Sequence, residues 1–244
     1  MPYNPPLGRR STQPRKKPQI PVNKLGEYIE ASAVRRESIL RELKYVKPFK
    51  GAMRYSRARK VLVEYFADHH GDESFLRSAL GNLGPNPFGR KTENAHRASC
   101  RAAISSFLAN DFSQLGIRVV DPVFAEGDIF AQEYLSIENV TISMRPDLVI
   151  RGEGPKGCEV TGVLKFHFGK DFPLGIEGGA HVATLLHQYA EEKYGSEHMG
   201  TPRELCLLLD VRQGTVHEAP SSYKRRRKLI AASCREIAAR WDSL

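Results

Sequence analysis

The sequence predicts an α/β (α+β) fold, a mixed central β-sheet flanked by helices, behind a helical N-terminal region and a disordered basic tail. Three observations predict it. Apolar residues recur at helical spacing from about Asn23 to Ala109, the pattern turns to β alternation from Gly116, and beyond Pro173 a helix, an apolar strand and a second helix follow in turn. Helices, then an antiparallel run, then helix, strand and helix is the order of a sheet with helices packed on it.

Residues 1–22 form the tail. Six of the fifteen prolines fall in residues 1–21 beside only two large aliphatics, Leu7 and Ile20, too little apolar surface to offset the entropy of ordering. Residues 23–88 form the helical region. NKLGEYIEASAVRRESILRELKYV reads as one helix with Leu25, Ile29, Leu40 and Leu43 near one face; MRYSRARKVLVEYFADHH and ESFLRSALGNL are two more, ended by Gly71 and Gly84.

Residues 89–244 form the core. A helix runs from about Thr92, its N-cap, to Ala109. IRVVDPVFAE, FAQEYLSIENVTISMRPDLVIRG and CEVTGVLKFHFG make a meander, the last two joined by the turn EGPKG. A helix through about Lys193, the apolar strand ELCLLLDVRQGTVHEA and a closing helix capped by Ser222 complete the chain.

With 244 residues, 41% hydrophobic and 27% charged, the chain can bury a substantial core. No window approaches 18 consecutive apolar residues, and no apolar stretch follows the basic residues of the N-terminus, so neither a membrane span nor a secretory signal is expected and the expected location is cytoplasmic. Cys100, Cys158, Cys206 and Cys234 are dispersed, with no CxxC, which excludes the common zinc-ribbon and thioredoxin spacings and predicts reduced, mostly buried thiols.

The net charge of +9 is uneven. Residues 1–60 hold 16 Lys/Arg against 4 Asp/Glu, whereas residues 61–244 hold 21 against 24. Such a block attracts polyanions by counterion release, nucleic acid being the commonest; a solubilising tail beside a basic-faced helix has the same composition.

Several motifs fail on inspection. GPNPFGRKT approaches the P-loop pattern, but Arg90 separates Gly89 from Lys91 and no apolar strand precedes Gly84, so it reads as a connector and no nucleotide cofactor is expected. There is no GxSxG, HExxH or GxGxxG. His69 and His70 close a helix, where imidazoles suit the C-terminal dipole better than a metal.

One constellation carries chemistry. NVTISMRPDLVIRG alternates so that Asp147 falls on the polar face, and CEVTGVLKFHF alternates so that Val163, Lys165 and His167 share a face. With EGPKG as the hairpin loop, Gly152 opposes Cys158, Asp147 opposes Val163, and Lys165 lies one pleat beyond. Directly opposed Cβ atoms are ~5 Å apart and the next pleat ~7–8 Å, so a carboxylate and an ammonium converge.

At Pro146-Asp147 and Val163-Leu164-Lys165 the sequence resembles the PD-(D/E)XK nuclease superfamily, whose signature is Pro-Asp at the end of one strand and acid-x-Lys on the next. His96 before the sheet and Gln188-Tyr189 after it resemble the RecB-type exonuclease branch. The resemblance implies a restriction-endonuclease-like sheet and a Mg²⁺ or Mn²⁺ ion held by Asp147, with the Leu164 carbonyl as a further ligand and His96 and Glu93 as auxiliaries. Lys165 would orient or deprotonate the attacking water. Val163 departs from the pattern, standing where the family has its second acid; Glu159 is ~13 Å away along the strand, which leaves Glu93 and then Glu177 as displaced acids. Branches of the family that bind an iron–sulfur cluster use a tight C-terminal cysteine group, which the dispersed cysteines here do not form.

Phosphate contacts are expected from Arg54, Arg57, Arg59 and Lys60, from Gln188 and Tyr189, and from Lys224, Arg225, Arg226, Arg227 and Lys228 at the start of the last helix, where cations oppose the helix dipole. Lys44 to Lys50 and Arg54-Tyr55 interleave basic and aromatic side chains, a composition suited to backbone contact and base stacking. The expected function is metal-dependent hydrolysis of DNA or RNA phosphodiesters, with DNA ahead of RNA as partner. The alternatives are a catalytically inactive nucleic-acid-binding or regulatory module on the same fold, and a protein-interaction factor with a basic tail.

Overall fold

The computed structural model describes residues 14–45, 54–69, 72–110, 112, 115, 117, 119–127, 133–154, 157–169, 173–197 and 199–244. Residues 1–13 of the tail, most of the Lys44 to Lys50 string, Pro155 and Lys156 of the hairpin loop, and His70 lie outside the described residues.

The fold is mixed α/β, with seven α-helices among the described residues. In chain order the elements are β1 (Gln19–Pro21), α1 (Val22–Glu30), α2 (Ala33–Lys44), α3 (Ser56–Ala67), α4 (Glu73–Asn82), α5 (Lys91–Ala109), β2 (Val120–Glu126), β3 (Tyr134–Ile137), β4 (Val140–Ser143), β5 (Leu148–Glu153), β6 (Glu159–His167), α6 (Ile176–Tyr194), β7 (Met199–Gly200), β8 (Cys206–Asp210), β9 (Thr215–Glu218) and α7 (Tyr223–Trp241). The main sheet has the order β2-β5-β6-β8-β9, with β7 beside β6; β6 and β8 are parallel, joined across the face by α6, and the other neighbours on that path are antiparallel. A second sheet has the order β1-β4-β3.

The main sheet is buried on both faces. Leu148, Ile150, Leu164, Phe166, Leu207 and Leu209 pack against α3, α4 and α5; Val163, Cys206 and Leu208 pack against α6, in a core that also takes in the second sheet, α1 and α7. The polar outer face expected for β6 is therefore covered: Thr161, Val163 and Lys165 are buried.

Other expectations are corrected. Residues 14–22 are ordered, because Ile20, 1% exposed, is buried in the core and β1 pairs in parallel with β4. The first long helix is two: Arg36 donates to the carbonyls of Tyr28 and Ile29, ending α1, and the Ser32 hydroxyl accepts from Arg35 N–H to open α2. The strand expected over Val140–Arg151 divides between the two sheets as β4 and β5, broken at Arg145, whose φ is +42°. The apolar strand before the last helix is the hairpin β8–β9. Arg90, not Thr92, stands at the N-cap of α5, and Ser222 at that of α7 makes no side-chain capping bond.

The hairpin register is shifted by two residues: Gly152 pairs with Val160, and Val149, not Asp147, faces Val163. Gly157 stands at φ +70°, and Gly154 N–H donates to the Cys158 carbonyl in that register. An even shift keeps every side chain on its face, so Asp147 and Lys165 still come together.

Candidate functional site

Leu148 pairs with Leu164, and the ladder continues one step beyond β5, where Asp147 N–H donates to the Leu164 carbonyl at 2.9 Å. Asp147 thus lies just before β5, against the end of β6 that carries Lys165. Its carboxylate is 1% exposed and has two donors: Arg59 Nε on α3 lies 2.9 Å from Oδ1, and Phe166 N–H donates to Oδ2 at 2.7 Å. The Arg59 guanidinium also lies over the Phe168 ring, on which Tyr55 stacks. A carboxylate so enclosed has exchanged its water for a charge-assisted bond and a peptide donor.

Lys165 is 7% exposed, and its Nζ donates to the Arg145 carbonyl at 2.7 Å. Burial lowers its pKa from the ordinary 10.5 to about 8; Asp147 opposes the shift, while Arg59 and Arg145 add to it. Arg145 itself is exposed, in the left-handed region that a side chain of its size rarely adopts. Arg59 pairs with the Asp147 carboxylate, while Lys165 lies near it and has Arg59 and Arg145 as cationic neighbours. Arg145 was not among the expected site residues, since nothing in the sequence announces its backbone conformation.

The expected auxiliary groups do not join them. Glu93 and His96 lie on the first turns of α5, where Glu93 pairs with Arg57 at 3.3 Å. Arg57 and Arg59 leave α3 toward different carboxylates. Arg54 donates to Ser99, and Lys60 stands 76% exposed near Glu64.

Gln188 donates to Glu192 on the surface of α6, twelve residues and ~18 Å along the helix from its start. Tyr189 is 3% exposed in the core, so it is a packing residue and not a nucleic-acid contact. On α7, Arg226 is held by Glu177 and Arg227 by Glu191, which supply the negative charge expected of an external polyanion; Lys224, Arg225 and Lys228 are exposed and make no ion pair among the described residues. Glu177 is thereby committed as well.

A second polar group, also missed, lies at the C-terminal ends of β6 and β8. Asp210 is wholly buried; its Oδ1 accepts from the N–H groups of Arg212 and Gln213, and its Oδ2 lies 4.0 Å from His167 Nε2. Asn23 on α1 reaches the Phe166 carbonyl and His167 Nδ1. Burial lowers the pKa of His217 on the neighbouring strand, against the pull of Asp210. The sequence signal was a lone acid ending an apolar run.

A divalent ion does not fit the donors as arranged. Both Asp147 oxygens carry donors, one of them a guanidinium; the Leu164 carbonyl accepts from Asp147 N–H; Glu93 is paired elsewhere; and Val163 is wholly buried among apolar side chains. Mg²⁺ takes six oxygen ligands at ~2.1 Å, and among the described residues no three His, Cys, Asp or Glu side chains form a ligand group. Among known proteins, no family model matches the chain and no curated protein is significantly similar to it.

Proposed function

We propose that the protein binds the phosphate backbone of nucleic acid at the Asp147–Lys165 site, as a non-hydrolytic module on a nuclease-like fold. The observation that carries this reading is the Arg59–Asp147 ion pair at 2.9 Å. It places a fixed guanidinium where the resemblance implies a metal, and beside it stand the exposed Arg145 and the buried Lys165. A carboxylate that orients cations toward an outer phosphate needs no second acid, which accounts for Val163. The excess positive charge of residues 1–60 supports the same class of partner.

Anisotropy titrations of labelled DNA and RNA oligonucleotides over a salt series, in EDTA and then in Mn²⁺, test this. Salt-dependent binding indifferent to EDTA is expected, with Arg145→Ala lowering the slope of log K against log salt by about one. Binding that ignores salt would overturn the reading. So would Mn²⁺-dependent cleavage abolished by Asp147→Asn, which would establish the hydrolytic function instead.

A further inference from the structure

The segment rejected as a P-loop holds the most exposed large apolar side chain among the described residues, Phe88, 97% exposed. Every other described phenylalanine is buried or packs against the core. Isolated exposed apolar residues are common, but the support of this one is unusual. Gly89 N–H donates to the Asn86 carbonyl across a β-turn, with Pro87 fixing φ at its second position and Phe88 at its third. Asn86 Oδ1 accepts from Phe88 N–H, and Asn94 on α5 clamps Asn86 at two points, accepting from its N–H and donating to its carbonyl. Arg97 donates to the carbonyls of Asn82 and Gly84, pinning the entry to the turn.

These bonds hold the ring in solvent on a rigid mount, so little ordering entropy is left to lose on contact. Arg90 and Lys91, both exposed and without an ion pair among the described residues, flank it. The turn opens α5, whose Glu93 pairs with Arg57 on α3, so a further cation lies on the same pair of helices.

We propose that Phe88 is a base-stacking finger, and that the ligand it selects is an unpaired base of a strand whose phosphates lie at the neighbouring cations. The inference rests on the nucleic-acid reading above and narrows it to single-stranded or frayed substrates. An aromatic face with adjacent positive charge suits every base, because each has a π face and each is followed by a phosphate. In an intact duplex the bases are stacked on each other and offer the ring no face.

The test uses the full chain, a fluorescein-labelled single-stranded 20-mer and its duplex. Phe88→Ala, which removes no packing, should weaken single-strand binding about tenfold, leave the salt slope unchanged because no phosphate contact is lost, and leave duplex binding within about twofold. Phe88→Trp gives a direct readout, since the single native tryptophan, Trp241, is 2% exposed. The emission of the introduced indole should be quenched when the single strand saturates and not when the duplex does. Wild-type affinity in Phe88→Ala, equal losses on both probes, or unquenched emission from Phe88→Trp at single-strand saturation would each overturn the finger while leaving backbone binding intact. Failure of the wild type to bind either probe would overturn the nucleic-acid reading itself, and the finger with it.

Discussion

A buried carboxylate just before β5 and a buried ammonium on β6 lie near each other, yet they do not bond to each other. Asp147 takes Arg59 and a peptide N–H, and Lys165 takes the Arg145 carbonyl. Because the folded pKa of Lys165 lies below its ordinary value, the stability linked to it is complete above pH ~10.5 and declines as the pH falls toward about 8. A displacement of that size corresponds to ~3 kcal/mol of cost at neutral pH, net of the bonds the ammonium makes. The stability of Lys165→Met in urea should therefore rise relative to the wild type by ~3 kcal/mol between pH 10.5 and pH 7, and the variant should bind oligonucleotide more weakly. A destabilised variant with normal binding would make Lys165 a structural residue.

At the scale of elements, one close approach fixes the helices on one side of the sheet. α1 crosses α6 at Gly26, where a Cβ would lie 2.6 Å from Val182 Cγ2 and 2.9 Å from the Gly178 carbonyl. Alanine is favoured over glycine in a helix by ~1 kcal/mol, but overpacking against a backbone oxygen costs ~1–3 kcal/mol. Gly26→Ala should lower the melting temperature by several degrees and, because Asn23 on the same helix reaches the Phe166 carbonyl, disturb the end of β6. A melting temperature at or above that of the wild type would show that the helices separate freely. On the other side of the sheet, α3 delivers Arg59, and its neighbour α5 carries the stapled turn at Phe88.

At the scale of the molecule, two cores on opposite faces of one sheet leave His181 and His187 buried and His217 half-buried. Burial lowers the pKa of His181, His187 and His217. Arg227 offers only donors, so His187 Nδ1 accepts from it and Nε2–H donates to the Thr201 carbonyl; a second proton would set donor against donor. A folded pKa below the ordinary 6.5 means that this stability is complete above about pH 6.5 and is lost as the pH falls. Melts between pH 8 and 5 should be level in the upper half and fall in the lower, with a shallower fall in His187→Gln. A level profile throughout would mean that the rings charge without penalty.

What was legible in the sequence was local. Periodicity located α3 to α7, β2 and β6 to within a few residues, parity put Asp147 and Lys165 on one face, and neither depends on distant contacts. The break at Ser32 needed Arg36 to reach back to α1, the order of residues 14–22 needed the edge of β4, and the hairpin register needed the pairing of β5 with β6. The partners of the site were not legible. That Arg59 rather than a metal stands on Asp147, that Arg145 is held left-handed beneath Lys165, and that Tyr189 packs inward while Phe88 points out were decided by tertiary structure, because a side chain's charge partner and exposure are set by whichever elements pack beside it, and those come from far along the chain.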